Sequence, residues 1–349
     1  MQAAVYRGVN DIRIETVPVP QIESDELLVK VAVCGVCPTD IKKIQYGTVP
    51  PPRIFGHETA GTIGRVGAGV RGFKVGDRVA LHHHIPCLKC HACRHRSFAQ
   101  CAQYKRTGIT AGFEPAGGGF AEYVRVMSFV LPGVVKIPPR NSFDEGAMLE
   151  PVNTVLKAIK RLNLLRRDFV WVAGQGPIGL MFTKLLSLCG VNVIASDLLR
   201  SRLKLARRFG ARKIFLAEDA SFSEQVHRVT RGGGLDAVIV AVSSDAVVGQ
   251  AIELVRGAGQ ILLFAHTRPK CGVAVDLSAI CVAEKDLIGS YSADFTLQQE
   301  VARVVFSRCL DVRRLVTNRF PLGQTELAIK ECVHPGENSL KVMVYNKNG

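Results

Sequence analysis

The stretch "VWVAGQGPIGL" (170–180) constrains the fold more than any other part of the sequence. An apolar run typical of a buried strand leads into Gly174, Gly176 and Gly179, in G-x-G-x-x-G order, at the start of a segment of helical character. The first glycine permits a tight turn, the second lets the backbone approach a pyrophosphate, and the third lets helix and strand pack closely. An ordinary strand–helix turn is the alternative, and the pattern alone does not exclude it.

The residues around these glycines favour dinucleotide binding. Pro177 suits a first helical turn, because its missing N–H would have no partner there. Asp197 ends the next strand, "VNVIASD", about 20 residues further on, as the dinucleotide-binding fingerprint requires. Its carboxylate can accept hydrogen bonds from both hydroxyls of the adenosine ribose and would repel a 2′-phosphate. The sequence therefore predicts NAD rather than NADP.

Two sequence regimes indicate two domains. Residues 1–152 contain glycines, prolines and short alternating segments, which predict an antiparallel β domain. Over residues 153–294, apolar runs alternate with stretches of helical character, as in a doubly wound parallel sheet of the Rossmann type. The segment "SLKVMVYN" reads as a strand that returns to the first domain, so residues 295–349 are predicted to complete it. The predicted fold class is α/β.

The charge distribution and the hydropathy pattern argue against several classes of partner. The formal net charge is +15, but its densest run (198–213) carries apolar residues at helical spacing, so the basic side chains form a solvated helix face. No nucleic-acid partner is therefore predicted. No apolar stretch reaches the roughly 18 residues of a membrane span, and the first residues lack a signal-peptide pattern. We expect a cytoplasmic protein with no membrane partner.

Four cysteines stand close together in "PCLKCHACRHRSFAQC" (86–101). Cys87, Cys90, Cys93 and Cys101 can close a tetrahedral zinc shell, which leaves no position for water or substrate. The sequence predicts a structural zinc here, and it predicts that His91, His95 and the run 82–84 are solvated loop histidines. A zinc finger that grips nucleic acid is disfavoured, because no recognition helix follows. The scattered cysteines are interpreted as small buried hydrophobes; they are Cys34, Cys189, Cys271, Cys281, Cys309 and Cys332.

A second set of residues offers mixed metal ligands. Cys37 lies in "VCGVCPTD", His57 and Glu58 in "FGHETAG", and Glu150 in "MLEPVNT". None of these residues alone is good evidence for a metal site, because an isolated cysteine or histidine is more often a core or surface residue than a metal ligand. Three unlike ligands plus a water would make a catalytic zinc site.

In this order, the motifs resemble the zinc-containing medium-chain alcohol/polyol dehydrogenase family, specifically its sorbitol and threonine dehydrogenase branches. The resemblance extends over essentially the whole chain and includes "GVCPTD", "GHETAGTIGRVGAGVRGFKVGDRV", the four-cysteine segment, "MLEPV" and "GQGPIG". It implies a GroES-like catalytic β domain and a Rossmann NAD-binding domain. It also implies one catalytic and one structural zinc per chain, and a homo-oligomer, with a tetramer favoured over a dimer.

The resemblance assigns roles residue by residue. It implies that Cys37, His57 and Glu58 bind the catalytic zinc, and that Glu150 reaches it directly or through its water. Thr39 matches a proton-relay hydroxyl and Asp40 a residue that braces the metal site, whereas Lys42 stands where relatives often have a histidine. Pro38 replaces the usual glycine. The positions that match cofactor contacts are Ile178, Asp197, Arg202, Leu263, Phe264, Ala265, Ser290 and Tyr291.

These observations predict a zinc-dependent, NAD-linked dehydrogenase. Its substrate would be a secondary alcohol, as in a polyol, a sugar alcohol or a hydroxylated amino acid. Two alternatives remain open from the residues alone. One is a primary-alcohol or aldehyde dehydrogenase on the same fold, and the other is a nucleic-acid-binding zinc protein that uses the positive charge.

Overall fold

The computed structural model describes residues 1–82, 85–102, 116–265 and 272–346. The chain divides into two compact units. Unit 1 comprises Met1–Asn153 and Ala293–Gly349, and unit 2 comprises Thr154–Ser292.

The strands and helices are numbered in chain order. The strands are β1 (Gln2–Gly8), β2 (Asp11–Thr16), β3 (Leu27–Gly35), β4 (Arg53–Ile54), β5 (Glu58–Val66), β6 (Arg78–Leu81), β7 (Tyr123–Val126), β8 (Val135–Lys136), β9 (Phe169–Ala173), β10 (Asn192–Asp197), β11 (Lys213–Leu216), β12 (Leu235–Val240), β13 (Val255–Leu263), β14 (Asp286–Gly289), β15 (Val316–Pro321) and β16 (Lys341–Tyr345). The helices are α1 (Pro38–Tyr46), α2 (His91–Arg94), α3 (Phe143–Ala147), α4 (Leu149–Ile159), α5 (Pro177–Leu188), α6 (Arg200–Arg208), α7 (Phe222–Val229), α8 (Asp245–Leu254), α9 (Leu277–Cys281), α10 (Gln298–Phe306) and α11 (Thr325–Val333).

Unit 1 is built on a largely antiparallel sheet. Its strand order is β15-β16-β3-β5-β6-β8, with β7 also paired to β3, and β2-β1-β4 form a separate small sheet. Strand β3 is central, which explains why "LLVKVAVCG" is buried at every residue except Lys30. Only the β15–β16 pair of this sheet is parallel. Strand β16 lies between β15 and β3, so a late segment of the chain completes the sheet that an early one begins.

Unit 2 is a six-stranded sheet in the order β11-β10-β9-β12-β13-β14. Every ladder in it is parallel, which confirms the predicted parallel sheet. The chain runs outward from β9 to β11 and then restarts at β12 on the other side of β9. Such a reversal of strand order opens a crevice at the carboxyl ends of the two central strands, where α/β sheets bind ligands. The glycine loop follows β9 directly, so the fold places it at this crevice.

A buried carboxylate ties the start of helix α3 to a distant arginine. Glu145 completes a capping box with Ser142 and accepts hydrogen bonds from Asn141 Nδ2 at 2.8 Å and Arg308 Nε at 3.0 Å. Burial acts to raise the pKa of Glu145, but its hydrogen bonds to Arg308 and to the backbone N–H of Ser142 outweigh burial and lower it. The ionised form is therefore stabilised by folding.

We expect Glu145→Gln to destabilise the protein by about 2 kcal/mol at neutral pH, the usual contribution of hydrogen bonds to a charged group. Because the folded pKa lies below the unfolded one, this stabilisation is full above the unfolded value and is lost as pH falls through the folded value. The difference in unfolding free energy between wild type and variant should therefore shrink on acidification. Denaturant unfolding at a series of pH values measures it, and a difference that stays constant down to pH about 3 would contradict the assignment.

Candidate functional site

Three unlike ligand types converge in unit 1. Cys37 is the N-cap of α1, where its Sγ accepts a hydrogen bond from the Thr39 N–H. Glu58 is the first residue of β5, and His57 directly precedes it. One ligand atom from each of Cys37, His57 and Glu58 lies within 4.8 Å of the other two. His57 and Glu58 are buried, and Cys37 is half-buried. The structure thus brings together three of the four residues predicted to surround a catalytic metal.

Asp40 fixes the orientation of the His57 ring. Its side chain is fully buried, and its Oδ1 lies 3.1 Å from His57 Nδ1. An ionised carboxylate can only accept, so Nδ1 donates, and Nε2 becomes the nitrogen that can coordinate a metal. Burial acts to lower the pKa of His57, but the negative charges of Asp40 and Cys37 outweigh it and raise that pKa well above its usual value.

Lys341, on β16, is a functional candidate that the sequence reasoning missed. Its side chain is buried, and its Nζ forms an ion pair with Glu58 Oε2. Burial acts to lower the pKa of Lys341, but the charges of Glu58 and Cys37 more than offset it and raise that pKa. The available signal was a single lysine in the otherwise apolar strand "KVMVY".

Glu150 lies outside the three-residue group. It sits in the first turn of α4 and is buried. Burial raises the pKa of Glu150 to about 7, and the negative charge of Glu58 adds to this while the charge of His57 opposes it. Glu150 therefore lies near Cys37, His57 and Glu58 but outside the set whose ligand atoms lie within 4.8 Å of one another. This position is compatible with an indirect contact with a metal.

The predicted relay residues lie on the same helix as Cys37. Thr39 and Lys42 are both half-buried in α1, and Pro38 occupies its first turn. A half-buried hydroxyl two residues from Cys37 is suited to meet a substrate oxygen if a metal is bound there.

The four cysteines of residues 87–101 form a second cluster, and their sulfur atoms all lie within 4.8 Å of one another. The Sγ–Sγ distances are 3.9 Å from Cys87 to Cys93 and 3.5 Å from Cys90 to Cys93. A tetrahedron with zinc–sulfur bonds of about 2.3 Å has edges of about 3.8 Å. The arrangement therefore has the size of a closed zinc–thiolate site.

Backbone hydrogen bonds lower the pKa of one of these thiols, and burial raises the pKa of another. Hydrogen bonds from the backbone N–H groups of Lys89 and Cys90 lower the pKa of Cys87 to about 6. Burial raises the pKa of Cys93 to about 12. The donor sets of both clusters fit zinc: four thiolates suit a closed structural site, and mixed sulfur, nitrogen and oxygen ligands suit an open catalytic one.

Several predictions about lone cysteines and histidines were wrong. Cys189, Cys281 and Cys309 are exposed and Cys332 is half-buried, whereas Cys34 is buried as predicted. His82, which directly follows the buried residues of strand β6, is fully buried and is not a solvated loop residue. His91 and His95 are exposed. Cys271 and residues 83–84 lie outside the described residues.

The glycine loop of unit 2 has the geometry that its motif predicts. Gly174 has φ +88°, a left-handed conformation that favours glycine. A Cβ on Gly179 would lie 1.8 Å from the carbonyl oxygen of Gly174, so α5 can pack against the loop only with glycine there. A Cβ on Gly176, the N-cap of α5, would meet nothing within 4 Å. Open space at a helix N-terminus fits a pyrophosphate.

Asp197 is held rigidly beside this loop. Its Oδ2 accepts from the Gln175 N–H at 2.6 Å, and its Oδ1 accepts from the Leu199 N–H at 2.9 Å. Gln175, which the sequence reasoning missed, is fully buried and bridges strand to helix: its Nε2 donates to Val172 O, and its Oε1 accepts from Thr183 Oγ1. The loop is thus pre-formed with a carboxylate fixed at its rim.

The other predicted cofactor positions follow the carboxyl ends of the strands or lie in the helices that come next in the chain. Leu263 ends β13 and pairs with Gly289, the last residue of β14, so the segments that follow both strands are neighbours at their carboxyl ends. Those segments contain Phe264, Ala265, Ser290 and Tyr291. Ile178 lies in the first turn of α5, and Arg202 lies in α6, which follows Asp197.

Comparisons with known proteins agree with this architecture. The model of the alcohol dehydrogenase GroES-like domain matches residues 23–139, and that of the zinc-binding dehydrogenase domain matches residues 177–307. A sorbitol dehydrogenase of Bacillus subtilis (strain 168) is 31% identical over 351 residues, covering 99% of this chain and 97% of the relative. The chain belongs to the zinc-containing medium-chain alcohol/polyol dehydrogenase family. The resemblance and fold class predicted from the sequence are therefore confirmed.

Two solved structures of this dehydrogenase family cover nearly the whole chain. A zinc-binding dehydrogenase from Sinorhizobium meliloti 1021, bound to NADP, aligns with a TM-score of 0.89 at 27% identity, over 99% of this chain and 98% of the other. The 2R,3R-butanediol dehydrogenase of Bacillus subtilis aligns with a TM-score of 0.87 at 25% identity, over 99% of each chain. Among the described residues, no helix is long and apolar enough to cross a membrane.

Proposed function

We propose that this medium-chain dehydrogenase oxidises a secondary alcohol of a polyol, with NAD as hydride acceptor and zinc at the Cys37–His57–Glu58 site. One observation carries the proposal: three buried or half-buried ligands of different type meet within 4.8 Å, in contrast to the closed set of four cysteines. Three protein ligands leave a coordination position for the reacting oxygen. The similarity to a sorbitol dehydrogenase and a butanediol dehydrogenase supports a substrate with neighbouring hydroxyl groups.

The reaction removes a hydride from the carbinol carbon and a proton from its hydroxyl. A bound zinc ion would supply a Lewis acid that makes the hydroxyl more acidic, and NAD would accept the hydride. The chain's residues hold these groups and move the proton. Cys37, His57 and Glu58 bind the ion, and Glu150 can reach it directly or through a water. Asp40 keeps the His57 ring turned toward the ion. Thr39 takes the hydroxyl proton and passes it to solvent or to a cofactor hydroxyl.

The assembly around this site is also part of the proposal. The four-cysteine cluster holds a second, structural zinc, and thiolate ligands of this kind persist in a reducing cytoplasm. The enzyme works as a homo-oligomer, with a tetramer expected from the resemblance. Light scattering of the purified chain measures this state directly.

A substrate panel tests the proposed reaction. Polyols, simple secondary alcohols, primary alcohols and aldehydes are offered with NAD or NADP, before and after chelation, and reduced cofactor is followed by absorbance. We expect turnover of vicinal diols with NAD, loss of activity on chelation and recovery with zinc. Faster oxidation of primary alcohols or aldehydes would favour the alternative activity on this fold. Salt-dependent binding to nucleic acid without any hydride transfer would overturn the dehydrogenase proposal.

The NAD preference rests on the charge of Asp197. We expect Asp197→Asn to lower the ratio of kcat/KM for NAD over that for NADP at least about tenfold, because a charge-assisted hydrogen bond to ribose and a repulsion of phosphate are both lost. Asparagine keeps an oxygen that can accept from the Gln175 or Leu199 N–H. Steady-state kinetics with both cofactors measure the ratio.

Asp276→Asn is the matched control, because this exposed aspartate caps the short helix α9 in the same unit. It should leave the ratio unchanged. A wild-type enzyme that prefers NADP, as the bound cofactor of the Sinorhizobium relative allows, would contradict the assignment.

A further inference from the structure

A buried positive charge faces the proposed metal site from β16. Lys341 has 5% of its surface exposed, and its Nζ donates to Val36 O at 2.9 Å and forms an ion pair with Glu58 Oε2. Lysine is almost never fully buried unless it is paired. The ammonium group is thus directed at a carboxylate that is itself a proposed metal ligand.

The backbone is shaped around this pair. A Cβ on Gly35 would lie 1.9 Å from Glu58 Oε2 and 3.0 Å from Lys341 Cε. Any other residue at this position of β3 would displace the carboxylate or the ammonium. The ladder between β16 and β3 carries Lys341 to the site, and the Lys341 N–H is fixed by Leu315 O at 2.9 Å. The contact is therefore part of the sheet architecture and does not depend on a flexible surface side chain.

We propose that Lys341 is a positioning residue that competes with the metal ion for the Glu58 carboxylate and so keeps this ligand exchangeable. This inference rests on the proposed function. A carboxylate already neutralised by an ammonium group attracts a cation less, and the ammonium charge itself repels the ion. Cys37 and His57 would then hold the metal firmly, and Glu58 could withdraw while an alcohol replaces water in the remaining position.

Competition predicts opposite changes in metal affinity for two substitutions. In Lys341→Met, Glu58 loses its competitor and can bind the ion with both oxygens, so zinc affinity at this site should rise about tenfold, within the range seen when a residue behind a metal ligand is changed. In Lys341→Arg, the guanidinium can hold both carboxylate oxygens, and zinc affinity should fall severalfold. A residue needed only for folding would weaken metal binding in both variants.

The experiment uses the full-length chain and measures zinc and cobalt(II) binding by competition with a chromophoric chelator. Cobalt(II) also reports ligand number, because its visible bands weaken as a further ligand atom joins a tetrahedral ion. We expect weaker bands and tighter binding for Lys341→Met, confined to one of the two metal equivalents. The kcat of this variant should fall about tenfold, because Glu58 withdraws less readily when substrate and product exchange. Lys330→Met is the control, since exposed Lys330 pairs with Glu326 at 2.7 Å on α11, and it should match wild type.

Unchanged or weaker zinc binding by a folded Lys341→Met, with unchanged cobalt bands, would overturn the inference. If Lys341→Met does not fold, Lys341→Arg provides the test. Unchanged zinc affinity in Lys341→Arg would also overturn the inference. A double-mutant cycle with Glu58→Gln gives a second check, because the effect of Lys341→Met should vanish when Glu58 carries no charge. A wild type that binds no zinc at the Cys37–His57–Glu58 site would refute the proposed function, whereas zinc at that site with no response to Lys341 would refute only this inference.

Discussion

Cys37→Ser is expected to lower kcat/KM at least about a thousandfold, because the catalytic Lewis acid loses its thiolate ligand and dissociates. Serine can still cap α1 in place of the cysteine Sγ, so the helix should be retained. The zinc content should fall from two ions per chain to one, since the four-cysteine cluster is untouched. Metal analysis and kinetics on the same sample measure both effects.

Cys34→Ala provides the matched control for this substitution. Cys34 is fully buried on β3, near Cys37 in sequence, and its Sγ accepts from Thr59 Oγ1 at 3.4 Å. It lies outside the three-ligand group. The control should keep two zincs and most of the activity. A Cys37→Ser enzyme that retains both zincs and wild-type turnover would refute the proposed catalytic site.

Cys93→Ser is expected to produce the largest loss of stability. Cys93 is the member of the four-cysteine cluster whose sulfur lies 3.9 Å or less from the sulfurs of both Cys87 and Cys90. Because binding energy at a structural zinc is folding energy, loss of one thiolate should lower Tm by about 10 °C and release one zinc. Activity at low temperature should survive far better than in Cys37→Ser.

Thermal unfolding with parallel metal analysis checks this expectation. Cys309→Ser, which changes an exposed cysteine of unit 1, should leave Tm and zinc content unaltered. If Cys93→Ser kept two zincs and the wild-type Tm, the cluster would not be a metal site.

The fold of unit 2 could be predicted well from local sequence, for a physical reason. Gly174 must adopt a positive φ and Gly179 must allow backbone contact, and no other residue meets both demands at that spacing. Buried parallel strands appear in the sequence as continuous apolar runs. The positions of β9, β10, β12 and β13 can therefore be predicted without knowledge of their pairing. The clustering of the four cysteine sulfurs could also be predicted, because all four lie in one short segment.

What could not be predicted depends on partners far away in sequence. Lys341 and Val36 are 305 residues apart, and nothing near Lys341 indicates that its ammonium group faces Glu58. Cys189 and Cys281 have apolar neighbours in sequence, yet their side chains are on the solvent side. His82 continues the buried run of strand β6 into the interior, whereas its place in a run of histidines suggested the surface. Burial at such positions is set by tertiary packing, which a short window does not contain.

The position of strand β16 also bears on how a cell must make this protein. As the nascent chain leaves the ribosome, β3 is exposed long before its neighbour β16 has been translated, because all of unit 2 is synthesised between them. During that interval residues 33–35 of β3, which later pair with β16, offer unsatisfied backbone groups to other chains. Unit 2 can fold while the ribosome is still translating, but the cage around Glu58 closes only after Lys341 has emerged. The contact between Glu58 and Lys341 is therefore one of the last to form in unit 1, and chaperones that shield β3 should raise the yield of folded protein.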